Sequence, residues 1–118
     1  MSRKLMNRIG TVFIPVSNIE KAKSWYCKLL DLPETGEILH GHLYVLPLEG
    51  DTGLVLDSKI YDPESRRNTP LFHFNCDNIE LVYQSLQEKG VEVLTGIENG
   101  HWFNFTDPDG NVLMVCRC

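Results

Sequence analysis

A five-residue pattern occurs twice in this chain, sixty positions apart, and it limits the available folds more than any other feature: Val16-Ser17-Asn18-Ile19-Glu20 is answered by Cys76-Asp77-Asn78-Ile79-Glu80. Each copy follows a short apolar run, residues 9–16 and 71–76, and precedes apolar residues at helical spacing. That order reads strand, turn, helix, and its recurrence describes two copies of one supersecondary unit.

The helix starts follow from local chemistry. Ser17 with Glu20, and Asp77 with Glu80, fit a capping box, in which the cap oxygen accepts an amide hydrogen and the glutamate reaches back. The first helix places Ile19, Ala22, Trp25 or Tyr26, Leu29 and Leu30 on one face before Pro33. The second places Ile79, Val82, Tyr83 and Leu86 before Gly90.

Beyond each helix the period changes to two. Strands are expected at 37–40, 43–48 and 54–58 in the first half and at 92–95, 102–106 and 112–117 in the second. Their last turns fall at 49–53 and 107–111. Each half therefore reads β-α-β-β-β. One helix covers only one sheet face, so two such copies are expected to curl into a cupped sheet with a concavity. The expected fold class is α+β: two tandem βαβββ modules in one domain over 1–118, with module one at 6–58, a connector at 59–70 and module two at 71–118.

Composition narrows the function classes. With 118 residues, 42% hydrophobic and 23% charged, the chain matches a single globular domain. No apolar run approaches the ~20 residues that span a bilayer. The net charge of −5, with basic pairs only at Arg3-Lys4 and Arg66-Arg67, argues against a nucleic-acid partner. No apolar stretch of the secretory kind follows the first charges, so a cytoplasmic location is expected. Cys27, Cys76, Cys116 and Cys118 are read as free thiols, and Cys116-x-Cys118 as ordinary strand thiols rather than a chelating pair. No nucleophile elbow, phosphate-binding loop or dinucleotide fingerprint is present.

Two segments carry a family resemblance, residues 13–26 (FIPVSNIEKAKSWY) and 105–111 (FTDPDGN). With the repeat, they resemble the vicinal oxygen chelate superfamily, which includes glyoxalase I, extradiol dioxygenases, fosfomycin-resistance enzymes and bleomycin-resistance proteins. The resemblance implies the glyoxalase/bleomycin resistance fold. In metal-dependent members it places a histidine seven residues before each helix-start residue and a glutamate three residues after the final asparagine of the turn. Those positions hold Thr11, Leu71 and Met114 here. Leucine offers no donor and methionine only a soft thioether, so neither a metal nor any other cofactor is expected.

Strand parity, with those positions taken as facing the concavity, selects a lining of Thr11, Phe13, Leu71, His73, Asn75, Trp102, Asn104 and Met114, with Val112 beside them. Val12, Ile14, Phe72, Phe74, Leu113 and Val115 are then expected under the helices, with Cys76. Aromatic and apolar walls with a few polar groups suit a small organic ligand. His73 shares a side with Leu71 and is the one candidate catalytic residue, as a proton acceptor. His40 and His42 flank Gly41, which suggests a bend, and His101 is expected exposed at a strand entrance. The resemblance thus implies a small-molecule-binding, bleomycin-resistance-type homodimer. The alternatives are a metal-dependent lyase, dioxygenase or thiol transferase with a rearranged site, and a regulatory or interaction module with a filled cavity.

Overall fold

The computed structural model describes residues 5–65 and 68–118; the Arg3-Lys4 and Arg66-Arg67 pairs lie outside the described residues. The chain parts into two compact units between Tyr61 and Asp62. In the first unit, β1 (Thr11–Pro15), α1 (Ile19–Leu29), β2 (Leu43–Val45) and β3 (Gly53–Asp57) follow in order. The second holds β4 (His73–Asn75), α2 (Ile79–Glu88), β5 (Glu92–Val93), β6 (Trp102–Thr106) and β7 (Val112–Cys116). This is an α+β fold of two helices and two mixed sheets.

Both units use the same wiring. The sheets run β1-β3-β2 and β4-β7-β6-β5. In each, the first strand pairs in parallel with the last, which pairs antiparallel with the strand before it. The amide of Val16 reaches the carbonyl of Asp57 just past β1, and that of Cys76 reaches the carbonyl of Cys116 just past β4.

The helix starts correct the expected capping boxes by one residue. The caps are Asn18 and Asn78, not Ser17 and Asp77, and their side chains accept hydrogen bonds from the amides of Lys21 and Leu81. Glu20 and Glu80 consequently fall at the second helical position, where a carboxylate favours the dipole's positive end without closing a box. Both helices finish in the same motif. Asp31 (φ 55°) and Gly90 (φ 80°) take the left-handed conformation. The next amides, of Leu32 and Val91, bond back to the carbonyls of Cys27 and Leu86. The first helix therefore stops at this turn, ahead of Pro33.

The expected strand at 37–40 does not form. Only an isolated bridge joins Leu39 to Leu43, because His40 (φ 52°) and Gly41 (φ 76°) turn the chain through left-handed space. The second unit has the same turn: Glu98 bridges Trp102, with Asn99 (φ 51°) and Gly100 (φ 67°) between. A recurring Gly-His dipeptide, Gly41-His42 and Gly100-His101, is its sequence mark. The first sheet has three strands rather than four, with no counterpart of β5.

Each sheet has one face under its helix. In the first unit Ile14, Leu54, Leu56 and Tyr44 on the sheet and Ala22, Tyr26, Cys27 and Leu29 on α1 are all buried. The Tyr44 hydroxyl sits 3.7 Å from the Cys27 sulfur and donates to the Thr35 carbonyl. Burial, with the Cys27 thiol adding to it, pushes the Tyr44 phenol up to about 12. In the second unit Phe103, Phe105, Leu113 and Val115 are buried with Ile79 and Leu86, and Tyr83 stands edge-on to Phe103 at 5.0 Å. The parity reading of Ile14, Leu113 and Val115 is thereby met.

Candidate functional site

The helix-free face of the second sheet collects the expected lining residues of that unit. Residues paired across strands point to the same side, so the register His73–Met114–Asn104 forms one row across β4, β7 and β6, and Asn75–Cys116–Trp102 forms the next. His73 and Asn75 are exposed, and Trp102, Asn104 and Met114 are half-buried. Leu71, half-buried just before β4, donates its amide to the Val112 carbonyl. Val112 and Cys116, on the same face of β7, are buried.

Two polar groups on the face are already committed and one is not. Trp102 donates its indole N–H to a carboxylate oxygen of Glu98 at 3.2 Å. The Asn104 backbone amide donates to the Thr95 hydroxyl at 3.0 Å. The Asn104 side-chain oxygen, by contrast, is buried and has no hydrogen-bond partner among the described residues. A buried orphan acceptor costs on the order of 1–3 kcal/mol until a donor reaches it.

In the first unit, Thr11 and Phe13 stand on the corresponding helix-free face, and Phe13 remains 53% exposed in a row with Val55 and Val45. Asp57, at the end of β3, carries a buried charge. His42 Nδ1 lies 2.8 Å from its carboxylate, and the Lys59 amide donates to the same oxygen at 2.9 Å. A carboxylate only accepts, so Nδ1 carries the hydrogen of that bond. Burial alone would raise the Asp57 pKa, but the His42 hydrogen bond, the Lys59 amide and the nearby positive charge together hold it below the usual carboxylate value. The available signal was a charged residue closing the apolar run Leu54-Val55-Leu56. His40 and His42 both lie in the turn ahead of β2 and so share no strand face.

The cysteines divide. Cys27 and Cys76 are free, and burial, with the Asp77 charge adding to it, pushes the Cys76 thiol up, as suits a packing residue. Cys116 and Cys118 are joined in a disulfide, which corrects the reading of all four as free thiols. A ring nitrogen of His73 and the sulfurs of Cys116 and Cys118 all lie within 4.8 Å of one another. His101, exposed as expected, is held by the Asn99 carbonyl at 2.6 Å.

The metal positions implied by the resemblance do not fit an ion here. Thr11, Leu71 and Met114 provide one hydroxyl, no donor and a thioether, and no imidazole or carboxylate replaces them. A shallow depression of about 470 Å³ on α1, lined by Glu20, Lys21, Ser24, Trp25 and Lys28, is open to solvent and gathers no convergent chemistry. No helix among the described residues is long and apolar enough to cross a membrane.

Comparison with known proteins agrees with this geometry. The chain is similar to the uncharacterised protein YetH of Bacillus subtilis (strain 168), at 28% identity over 94% of this chain and 98% of that protein. It superimposes on TnmS3, an antibiotic binding protein from Streptomyces sp. CB03234, with a TM-score of 0.72, 28% identity and 98% of each chain covered. A glyoxalase/bleomycin resistance protein from the same Streptomyces gives a TM-score of 0.67 at 28% identity, over 93% of this chain and all (100%) of that one. Residues 8–115 match the family description as a whole, and the chain belongs to the Glyoxalase/Bleomycin resistance protein/Dioxygenase superfamily.

Proposed function

We propose that this protein binds a small organic molecule against the helix-free face of its second sheet, and that the binding needs no metal. The observation that carries the reading is the buried, unpartnered oxygen of Asn104, a residue on the row that runs through Met114 to His73 and two positions along β6 from Trp102. Apolar and aromatic surface supplies affinity by burial, and one acceptor awaiting a donor fixes orientation. The preferred ligand therefore has a flat apolar body and an N–H or O–H to give to Asn104. Leu71 and Asn75 border this face, and Thr11 and Phe13 are proposed as ligand contacts on the first unit's own helix-free face. The antibiotic-binding relative TnmS3 supports the ligand class. A cytoplasmic homodimer completes the reading, and light scattering on the purified chain measures the second part.

A melt of chelator-treated protein against a panel of aromatic antibiotics and cationic metabolites tests this. A ligand at one hundred times its Kd adds about 2.7 kcal/mol, a rise of roughly 8–15 °C for a chain this size. The same ligand should shift Asn104→Leu much less. No shift from any compound, or a shift that appears only when metal is restored, contradicts the proposal.

A further inference from the structure

We propose that His73, Cys116 and Cys118 form a Zn²⁺ site that is open when the two cysteines are reduced and closed when they are joined. The residues are not those of the family's metal positions, and the site is independent of ligand binding by the protein.

The fold assembles these donors from distant parts of the sequence. Parallel pairing of β4 with β7 sets His73 opposite Met114 and Asn75 opposite Cys116, so His73 and Cys116 share a face on neighbouring strands. Cys118 lies two residues past Cys116, just beyond the end of β7, and the disulfide brings its sulfur to that of Cys116. Between them Arg117 is fastened away, its amide donating to the His101 carbonyl at 2.7 Å and its guanidinium reaching the Gly100 carbonyl at 3.5 Å. The three donor atoms lie within 4.8 Å of one another, while two tetrahedral ligands of one ion stand roughly 3.5 Å apart. Small side-chain adjustments therefore suffice. Cys116 is the buried anchor, and His73 and Cys118 are exposed, so an ion can enter from solvent.

The donor set selects the ion. Two thiolates and an imidazole form a borderline-soft N,S₂ set, which suits Zn²⁺ and rejects Mg²⁺ and Ca²⁺. Three protein ligands leave the fourth tetrahedral position to water.

The redox step balances as thiol–disulfide exchange. A small dithiol gives two electrons and two protons to the Cys116–Cys118 bond, yielding two protein thiols and its own disulfide. Zn²⁺ then displaces the two thiol protons on binding. In reverse, a small disulfide accepts the two electrons, the protein S–S bond re-forms, two small thiolates leave and Zn²⁺ is released.

The test is a Zn²⁺ titration of the full chain, reduced with a phosphine that is then removed, beside the same chain oxidised with a small disulfide. Co²⁺ serves as a parallel spectroscopic probe. Reduced protein should bind one Zn²⁺, release about two protons and give a thiolate-to-Co²⁺ charge-transfer band. Oxidised protein should bind at least about 100-fold more weakly. Cys118→Ser and His73→Ala, both at exposed positions, should keep the native circular dichroism and each weaken binding by at least about 100-fold. Absence of uptake by reduced protein, equal uptake by oxidised protein, or uptake unchanged in both variants overturns the proposal.

Discussion

Replacing Asp107 with alanine should lower the unfolding free energy by about 3 kcal/mol, one of the largest single losses available outside the apolar core. The Asp-Pro-Asp-Gly-Asn turn between β6 and β7 is organised around this buried carboxylate. One oxygen accepts from the amides of Asp109 at 3.0 Å and Asn111 at 2.9 Å, and the other from the Asn111 side chain at 2.7 Å. Alanine removes the acceptor of all three bonds at once. The turn sets the register that pairs Thr106 with Val112 and, further on, Asn104 with Met114, so the same substitution loosens the proposed ligand face. Thermal unfolding should show a drop of roughly 10–20 °C. Asp107→Asn keeps one acceptor oxygen and should cost clearly less. An alanine variant within about 2 °C of wild type would show that the turn is held by something other than Asp107.

The second large effect is a loss of stability in acid that traces to Asp57. Its pKa is held below the ordinary value of 3.8, with burial opposed and outweighed by the His42 and Lys59 interactions. A carboxyl whose folded pKa is depressed contributes stability that is fully present above the unfolded value. The contribution fades as pH falls, because the unfolded chain takes up its proton first, and it is gone once the folded group is protonated too. Denaturant unfolding of wild type should therefore weaken below about pH 4 more steeply than that of Asp57→Asn. At pH 7 the variant should already be about 2 kcal/mol less stable, having exchanged a charge-assisted bond for a neutral one. Parallel pH profiles for the two proteins would remove Asp57 from this role.

How far the sequence could be read depended on whether the deciding interactions were local. The Asn-Ile-Glu repeat located both helices and both first strands, because capping and apolar spacing act within a few residues. The cap itself slipped by one position, since Ser17-Asn18 and Asp77-Asn78 each offer two good capping residues in succession and only the backbone decides between them. Alternation makes residues 37–40 read as extended, yet the left-handed pair His40-Gly41 bends the chain there, as Asn99-Gly100 does in the other half. The juxtaposition of His73 with Cys116 and Cys118 was out of reach. It exists only because the first strand of the unit pairs in parallel with the last, a contact that no local pattern records. Asp57 and His42 meet for a comparable reason, across the β2–β3 pairing.

Trp102 offers the most direct reading of ligand binding, because its ring lies on the face in question. The chain has two tryptophans, so Trp25→Phe leaves Trp102 as the sole indole reporter. Titrating that variant in chelator with the compound giving the largest melt shift should produce a saturable change in indole emission. The change should vanish when Met114→Glu places a charge in the middle of the His73–Met114–Asn104 row. An emission that stays constant across saturating ligand, or identical binding by the Met114→Glu protein, would mean that the helix-free face of the second sheet is not where this protein holds a small molecule.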